Sequence, residues 1–259
     1  MPSFDELWPT GPRFKQSENS FKLSTDSVLL ADFVNMRRAG NCLDLGSGCG
    51  VLCILLAFKN LQSQILGIEL QKDYADLSLE NLRENALDGR VSVINADLRS
   101  HRSLFPAESF DLVVSNPPYF PLGSGYMAPS PHRAAARGEE NCSLSELVSC
   151  AKWALRYGGS FALVHRPERL SEIFCAMSSS GIEPKRLRLV SYSAHKAPAL
   201  ALIEGKRGGK AGLKIEAPLI MTDEHGGESD EVQKIYRRGK YRPNTHNNQD
   251  SGRTGGWKI

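Results

Sequence analysis

The residues best suited to chemistry are Asn116, Pro117, Pro118 and Tyr119. They follow the short apolar, β-branched run Phe110–Val114, which reads as a buried parallel strand. Two prolines cannot continue a ladder, because each lacks a backbone N–H. Each also turns the preceding residue away from helical geometry. Asn116 is therefore expected in a stiff, extended segment just past the carboxyl end of a strand, the edge where open α/β sheets bind ligands. The Asn116 amide oxygen and the Pro117 carbonyl would stand there as two fixed acceptors, and Tyr119 would add an aromatic face. Two acceptors and a ring suit a planar amine such as the N6 of adenine. A strand ending in an Asn-Pro turn is the plainer reading of the same stretch.

A second constellation lies upstream. Cys42–Leu45 reads as a strand that runs into Gly46-Ser47-Gly48-Cys49-Gly50, followed by an apolar helix over 51–58. Glycines let backbone approach a ligand where a Cβ would clash. The spacing departs from the G-x-G-x-x-G dinucleotide fingerprint, which argues against a nicotinamide enzyme. Gln64–Glu69 is a second strand tipped by an acid, about 20 residues past the glycines, where a carboxylate is placed to accept from ribose hydroxyls. Arg90–Asn95 is a third strand, followed by Asp97 and Leu98. Asp97 is placed to accept from an adenine amino group and Leu98 to pack on its ring; a simple turn residue is the alternative for Asp97.

Elements that alternate in this way build a mostly parallel sheet. Residues 1–22 are polar and mixed and are expected to form an irregular lead-in. Ser24-Thr25-Asp26-Ser27 precedes an apolar stretch, so Ser24 or Thr25 is a good N-cap and Asp26 suits the first turn. A helix is expected from about Lys72 to Leu87, stopped by Asp88-Gly89. The Tyr119–Cys142 stretch has turn composition and reads as a mobile loop that grips substrate. Ser143-x-x-Glu146 is a capping box that opens another helix, with Gly158-Gly159 as its end and a strand over 160–165. Runs at 187–192 and 199–204 read as a terminal antiparallel strand pair. The domain is thus expected over 23–236, and the tail 237–259, rich in Asn, Gly and Thr, reads as disordered.

Composition narrows the class. An apolar fraction of 41% and a charged fraction of 24% are ordinary for a soluble globular chain, so disordered and fibrous classes drop out. The six cysteines form no C-x-x-C pair with matching histidines, so no metal site is expected and a reducing cytoplasm is. No signal peptide and no membrane-spanning run is read. The net charge of +3 says little, but its distribution says more. From Lys185 to Lys214 there are eight Lys or Arg residues and one acid, Glu204, an excess that suits phosphate contact.

The glycine motif with Asp44, together with Asn116-Pro-Pro-Tyr119, resembles the S-adenosylmethionine-dependent amino-methyltransferases that carry an (N/D)PP(Y/F) motif. Within them the chain resembles the bacterial family that methylates N6 of adenine 37 in valine tRNA. That resemblance covers about residues 15–236 and rests on Phe21–Ala31, the glycine motif, Asn116–Phe120, Arg133-x-x-x-Arg137 and Val164-His-Arg-Pro-x-Arg169. It implies an α/β, Rossmann-like class I methyltransferase fold with S-adenosyl-L-methionine as cofactor. It implies cofactor contacts from Thr25, Asp26, Asp44, Gly46, Ser47, Gly48, Gly50, Glu69, Leu70, Asp97, Leu98 and Asn116. Catalysis would fall to Asn116, Pro117, Pro118 and Tyr119, with no metal. The substrate would be tRNA, held by Phe120, Arg133, Arg137, Arg166, Arg169, Lys185, Arg186 and Lys196, with Arg188 beside them, in a monomer or weak dimer. Two alternatives stay open: a protein-glutamine methyltransferase acting on release factors, and a non-catalytic nucleic-acid binder on the same fold.

Overall fold

The computed structural model describes residues 4–15, 24–37, 39–117 and 142–236. The chain opens with a two-stranded antiparallel hairpin, β1 (Phe4–Glu6) and β2 (Arg13–Lys15), where an irregular lead-in was expected. Three-residue strands leave too short a pattern to read. What holds them is remote: Trp8 and Phe14 are buried in the core, and the β2 backbone bonds to Asn81 and Asn85, about 70 residues away.

α1 (Thr25–Phe33) follows, with Ser24 as its N-cap, accepting from the Ser27 N–H. Then come β3 (Asn41–Leu45), α2 (Val51–Lys59), β4 (Gln64–Glu69), α3 (Lys72–Glu84) and β5 (Val91–Asn95). α3 leaves helical geometry at Asn85 and turns through Ala86 at φ 53°, before the expected Asp88-Gly89 stop. A 3-10 turn (Leu98–Ser100) and the short α4 (His101–Leu104) lead to β6 (Phe110–Ser115). α5 (Leu144–Ala154) opens with the expected capping box, in which Ser143 and Glu146 bond reciprocally.

β7 (Leu155–His165) begins earlier than the sequence suggests and runs straight through Gly158-Gly159. Leu155 pairs with Phe110 and is fully buried. Burying a leucine is worth about 1.5–3 kcal/mol, which offsets the roughly 0.5–1 kcal/mol lost at each of the two glycines inside the strand. The glycines register as an irregularity in the ladder rather than as a helix stop.

α6 (Leu170–Ser179) is followed by β8 (Ile182–Ser191) and β9 (Leu200–Arg207), the expected antiparallel pair. Two short strands, β10 (Lys214–Ile215) and β11 (Leu219–Ile220), add to β8, and α7 (Asp230–Ile235) closes the described chain. The nine-stranded sheet has the order β10-β8-β9-β7-β6-β3-β4-β5, with β11 also on β8. β3 to β7 are mutually parallel, and β9 runs against both its neighbours.

Both faces of the sheet are covered, which is why its central strands read as continuous apolar runs. Cys42, Ile65, Leu112, Val114, Ala162 and Val164 pack with α1, α2 and α3. Leu43, Leu45, Leu66, Val113, Phe161 and Leu163 face the opposite way, with α5 and α6. The period of two along β3 thus assigns alternate residues to alternate layers. Among the described residues no helix is long and apolar enough to cross a membrane.

Candidate active site

Four parallel strands end at one edge, side by side in the order β5, β4, β3, β6. Leu45 pairs with Ile68, Ile68 with Ile94, and Asp44 with Val114, so their carboxyl ends are level. This alignment brings Asp44, the glycine loop, Glu69, Asp97 and Asn116 to one edge of the sheet.

The loop after β3 is tied to β4. The Gly46 and Ser47 N–H groups both donate to the Ile68 carbonyl at 3.0 Å, and Gly48 N–H donates to Glu69 Oε2 at 2.8 Å. Gly46 and Gly48 have φ of 75° and 55°, and a Cβ on either would meet nothing within 4 Å. Their turn demands glycine, and it leaves open space in front of the backbone. Gly50, at φ 83°, is needed for that reason and for a second. A Cβ there would come within 3.0 Å of Ser78 on α3.

Glu69 is buried, and burial raises its pKa against the N–H groups of Gln71 and Gly48, which favour the charged form. Its Oε1 accepts from Gln71 N–H at 2.8 Å. The carboxylate therefore shapes the loop, and the sequence expectation gives it the ribose hydroxyls as well. Glu69→Ala should weaken S-adenosylmethionine binding by about 1–3 kcal/mol, the range for a lost charged hydrogen bond. Unchanged affinity in titration calorimetry would remove it from this role.

Asp44 is fully buried. Its Oδ2 accepts from the Cys53 thiol at 3.3 Å, whereas Oδ1 has no partner among the described residues. Ser47 Oγ is likewise buried without a partner. Burial above all, with Glu69 nearby, pushes the Asp44 carboxyl up to about 7. Two unpaired polar atoms beside two glycines with open space before them fit a polar ligand carrying cationic groups. A raised acid pKa means the folded protein holds its proton longer than the unfolded chain. Stability from this group is full below the unfolded value and falls as pH rises from about 4 towards 7. A cation docking beside Asp44 favours the charged form, so binding near neutral pH should release a proton. Calorimetry in buffers of different ionisation enthalpy should show that release, and Asp44→Asn should abolish it.

Asp97 is first of all a turn residue. It N-caps the 3-10 turn, accepts from Arg99 N–H at 2.9 Å and holds the Arg99 guanidinium. The Arg99 bonds hold its carboxyl below the usual range. Leu98 is half-buried against the α5 layer, and Leu70 is exposed at the mouth of the edge.

Asn116 follows Ser115, whose hydroxyl donates to the Leu45 carbonyl at 2.7 Å and locks β6 to β3. Asn116 Nδ2 donates to Ser27 Oγ at 3.0 Å. Thr25 and Asp26 occupy the same first turn of α1, whose Ser27 contacts Asn116. Pro117 is described; Pro118, Tyr119, Phe120, Arg133, Arg137 and the whole proposed gripping loop lie outside the described residues, as does the tail 237–259.

Sequence reasoning missed Asn81. It is fully buried, donates to the Cys49 carbonyl at 3.0 Å and accepts from Lys15 N–H at 2.7 Å. It therefore ties the glycine loop to the N-terminal hairpin. A polar residue on the apolar face of α3 was the one available signal.

The basic cluster is less free than its composition suggests. Arg186 bonds Glu204 at 2.6 Å and Glu216 at 3.0 Å, and stacks 4.2 Å over Phe33. Arg188 pairs with Glu231, and Arg169 with Glu172. The three cations expected at phosphates are thus each ion-paired in the structure, with acids that come from other elements or lie outside the counted window, Glu204 excepted. Lys185 donates to the Lys210 carbonyl and Arg166 to the Ala199 carbonyl, while Lys196 is exposed on the β8–β9 turn.

Comparison with known proteins decides the family. Residues 21–174 match the model of the methyltransferase small domain. The chain belongs to that family. This small-domain methyltransferase is 31% identical over 195 residues to a protein of Porphyromonas gingivalis named tRNA1(Val) (adenine(37)-N6)-methyltransferase, spanning 73% of this chain and 76% of the relative. A protein of the same name from Tolumonas auensis is 32% identical over 189 residues, covering 73% and 77%. Among solved structures, a predicted O-methyltransferase from Agrobacterium tumefaciens superimposes with a TM-score of 0.68 at 23% identity, covering 85% of this chain and all of that one, which supports the class I fold. This methyltransferase uses S-adenosylmethionine, and the groove residues fit it: Asp44 and Ser47 carry the unpaired polar atoms, and Gly46 and Gly48 open the space.

Proposed function

We propose that this methyltransferase acts on the exocyclic N6 of adenine in tRNA, at position 37 of valine tRNA. The observation that carries the reading is Asn116-Pro117 at the carboxyl end of β6, level with the glycine loop and with the carboxamide held by α1. The names carried by relatives at about 30% identity support the same substrate.

In this reading Asn116 Oδ1 and the Pro117 carbonyl accept the two N6 hydrogens. They draw the nitrogen away from planarity and aim its lone pair at the cofactor side of the groove. Tyr119 stacks on the base. Asp44, Glu69 and the Gly46–Gly50 loop hold S-adenosylmethionine, which supplies an activated methyl group. The chain contributes position and a fixed set of dipoles. An adenine in an anticodon loop costs less to extrude than a paired one. The catalytic unit is residues 23–236.

Incubation with labelled cofactor and total tRNA, then nucleoside analysis, tests the reading. N6-methyladenosine in valine tRNA is expected. Label on a release-factor glutamine instead would transfer the assignment to protein methylation, and failure to bind S-adenosylmethionine would favour a non-catalytic binder.

A further inference from the structure

The backbone around Asn116 fixes where its side chain starts but not which end of the carboxamide faces the groove. The terminal torsion of an Asn is broad and roughly two-fold. The two settings are chemically opposite. With Oδ1 forward the amide accepts an N–H from an incoming amine; with Nδ2 forward it sets donor against donor.

In the structure two hydroxyls at the start of α1 receive the Nδ2 end. Nδ2 donates to Ser27 Oγ at 3.0 Å and to Ser24 Oγ at 3.3 Å. The hydroxyls are 3.2 Å apart, and Ser24 Oγ also accepts from the Ser27 N–H. Ser24 is fixed as the N-cap of α1, and Ser27 is buried. A carboxamide is planar, so turning Nδ2 to α1 turns Oδ1 away from it.

We propose that Ser27, with Ser24, is a positioning residue that orients the Asn116 carboxamide so that its oxygen meets the acceptor amine. The inference rests on the amine-methylation reading above. It gives the helix before the glycine strand a part in the transfer step. Ser27 is the side chain to change, because losing Ser24 would also uncap α1.

Ser27→Ala should lower the single-turnover rate of methyl transfer to tRNA by about ten- to a hundredfold, the scale on which small misplacements act. Cofactor affinity and melting temperature should stay near wild type. Ser27→Thr, which keeps the hydroxyl, should restore the rate. In an Asn116→Asp background the loss on Ser27→Ala should disappear, because a carboxylate presents an oxygen whichever way it turns. Wild-type turnover in Ser27→Ala, an equal loss in the Asn116→Asp background, or no rescue by Ser27→Thr would overturn the inference and leave the substrate reading standing. A wild-type protein that forms no N6-methyladenosine would overturn the substrate reading and, with it, the inference.

Discussion

Asn116→Ala should all but abolish methyl transfer while leaving S-adenosylmethionine bound with nearly unchanged affinity. The side chain contacts the acceptor nitrogen, and its contribution is largest when that nitrogen becomes pyramidal. One lost contact of this kind costs about 10²–10³ in rate. The effect should appear in single-turnover measurements, where product release plays no part. Fold stability should change little, because β6 is anchored by Ser115 to Leu45 and by its pairing with β3 and β7. Cofactor affinity should be held by the other strands of the edge, where Glu69 and the Gly46–Gly50 loop support each other. A variant with near wild-type turnover would sink the role assigned to Asn116.

Affinity for tRNA should fall steeply with salt. Each phosphate contact releases counterions and adds about 0.7–0.9 to the log–log slope. Five cations carry this expectation: Arg133, Arg137, Arg166, Lys185 and Lys196. Together they would lower affinity by about two orders of magnitude between about 50 and 200 mM salt. Removing Lys196 and Arg166 should flatten that slope and weaken all tRNAs alike. Arg133 and Arg137 follow the Asn-Pro-Pro-Tyr motif in sequence, so on the proposed reading changing them should cost the true substrate more than other tRNAs. Arg186→Ala should behave differently. Its guanidinium is shared between Glu204, Glu216 and the Phe33 ring, so the loss should register in melting temperature with the salt slope intact. Salt-independent binding would defeat the tRNA interface.

Legible in the residues alone were the order of the main strands and helices between α1 and β9, the two motifs and their common edge. Runs such as Leu112–Val114 and Phe161–Val164 are apolar on both faces, as strands of a covered parallel sheet are, and parallel strands end at the same side. Asp44, Gly48, Glu69 and Asn116 could therefore be placed together before any contact was known. Caps were legible for the same local reason: Ser24 and Ser143 bond within their own first turns.

What tertiary structure alone decided depends on partners far away in the chain. The β1–β2 hairpin is held by Asn81 of α3 and Asn85 at its end, which satisfy the β2 backbone. β7 passes through Gly158-Gly159 because Leu155 gains a buried place beside Phe110. Arg186 and Arg188 look like free cations in a window of sequence, yet Glu216 and Glu231 close on them from later elements. The amide of Asn116 turns as it does because Ser27, 89 residues earlier, brings a hydroxyl to it. Periodicity, caps and motif spacing are local properties that a sequence displays. Charge neutralisation and side-chain orientation are set by contacts between distant segments, which exist only once the chain has folded.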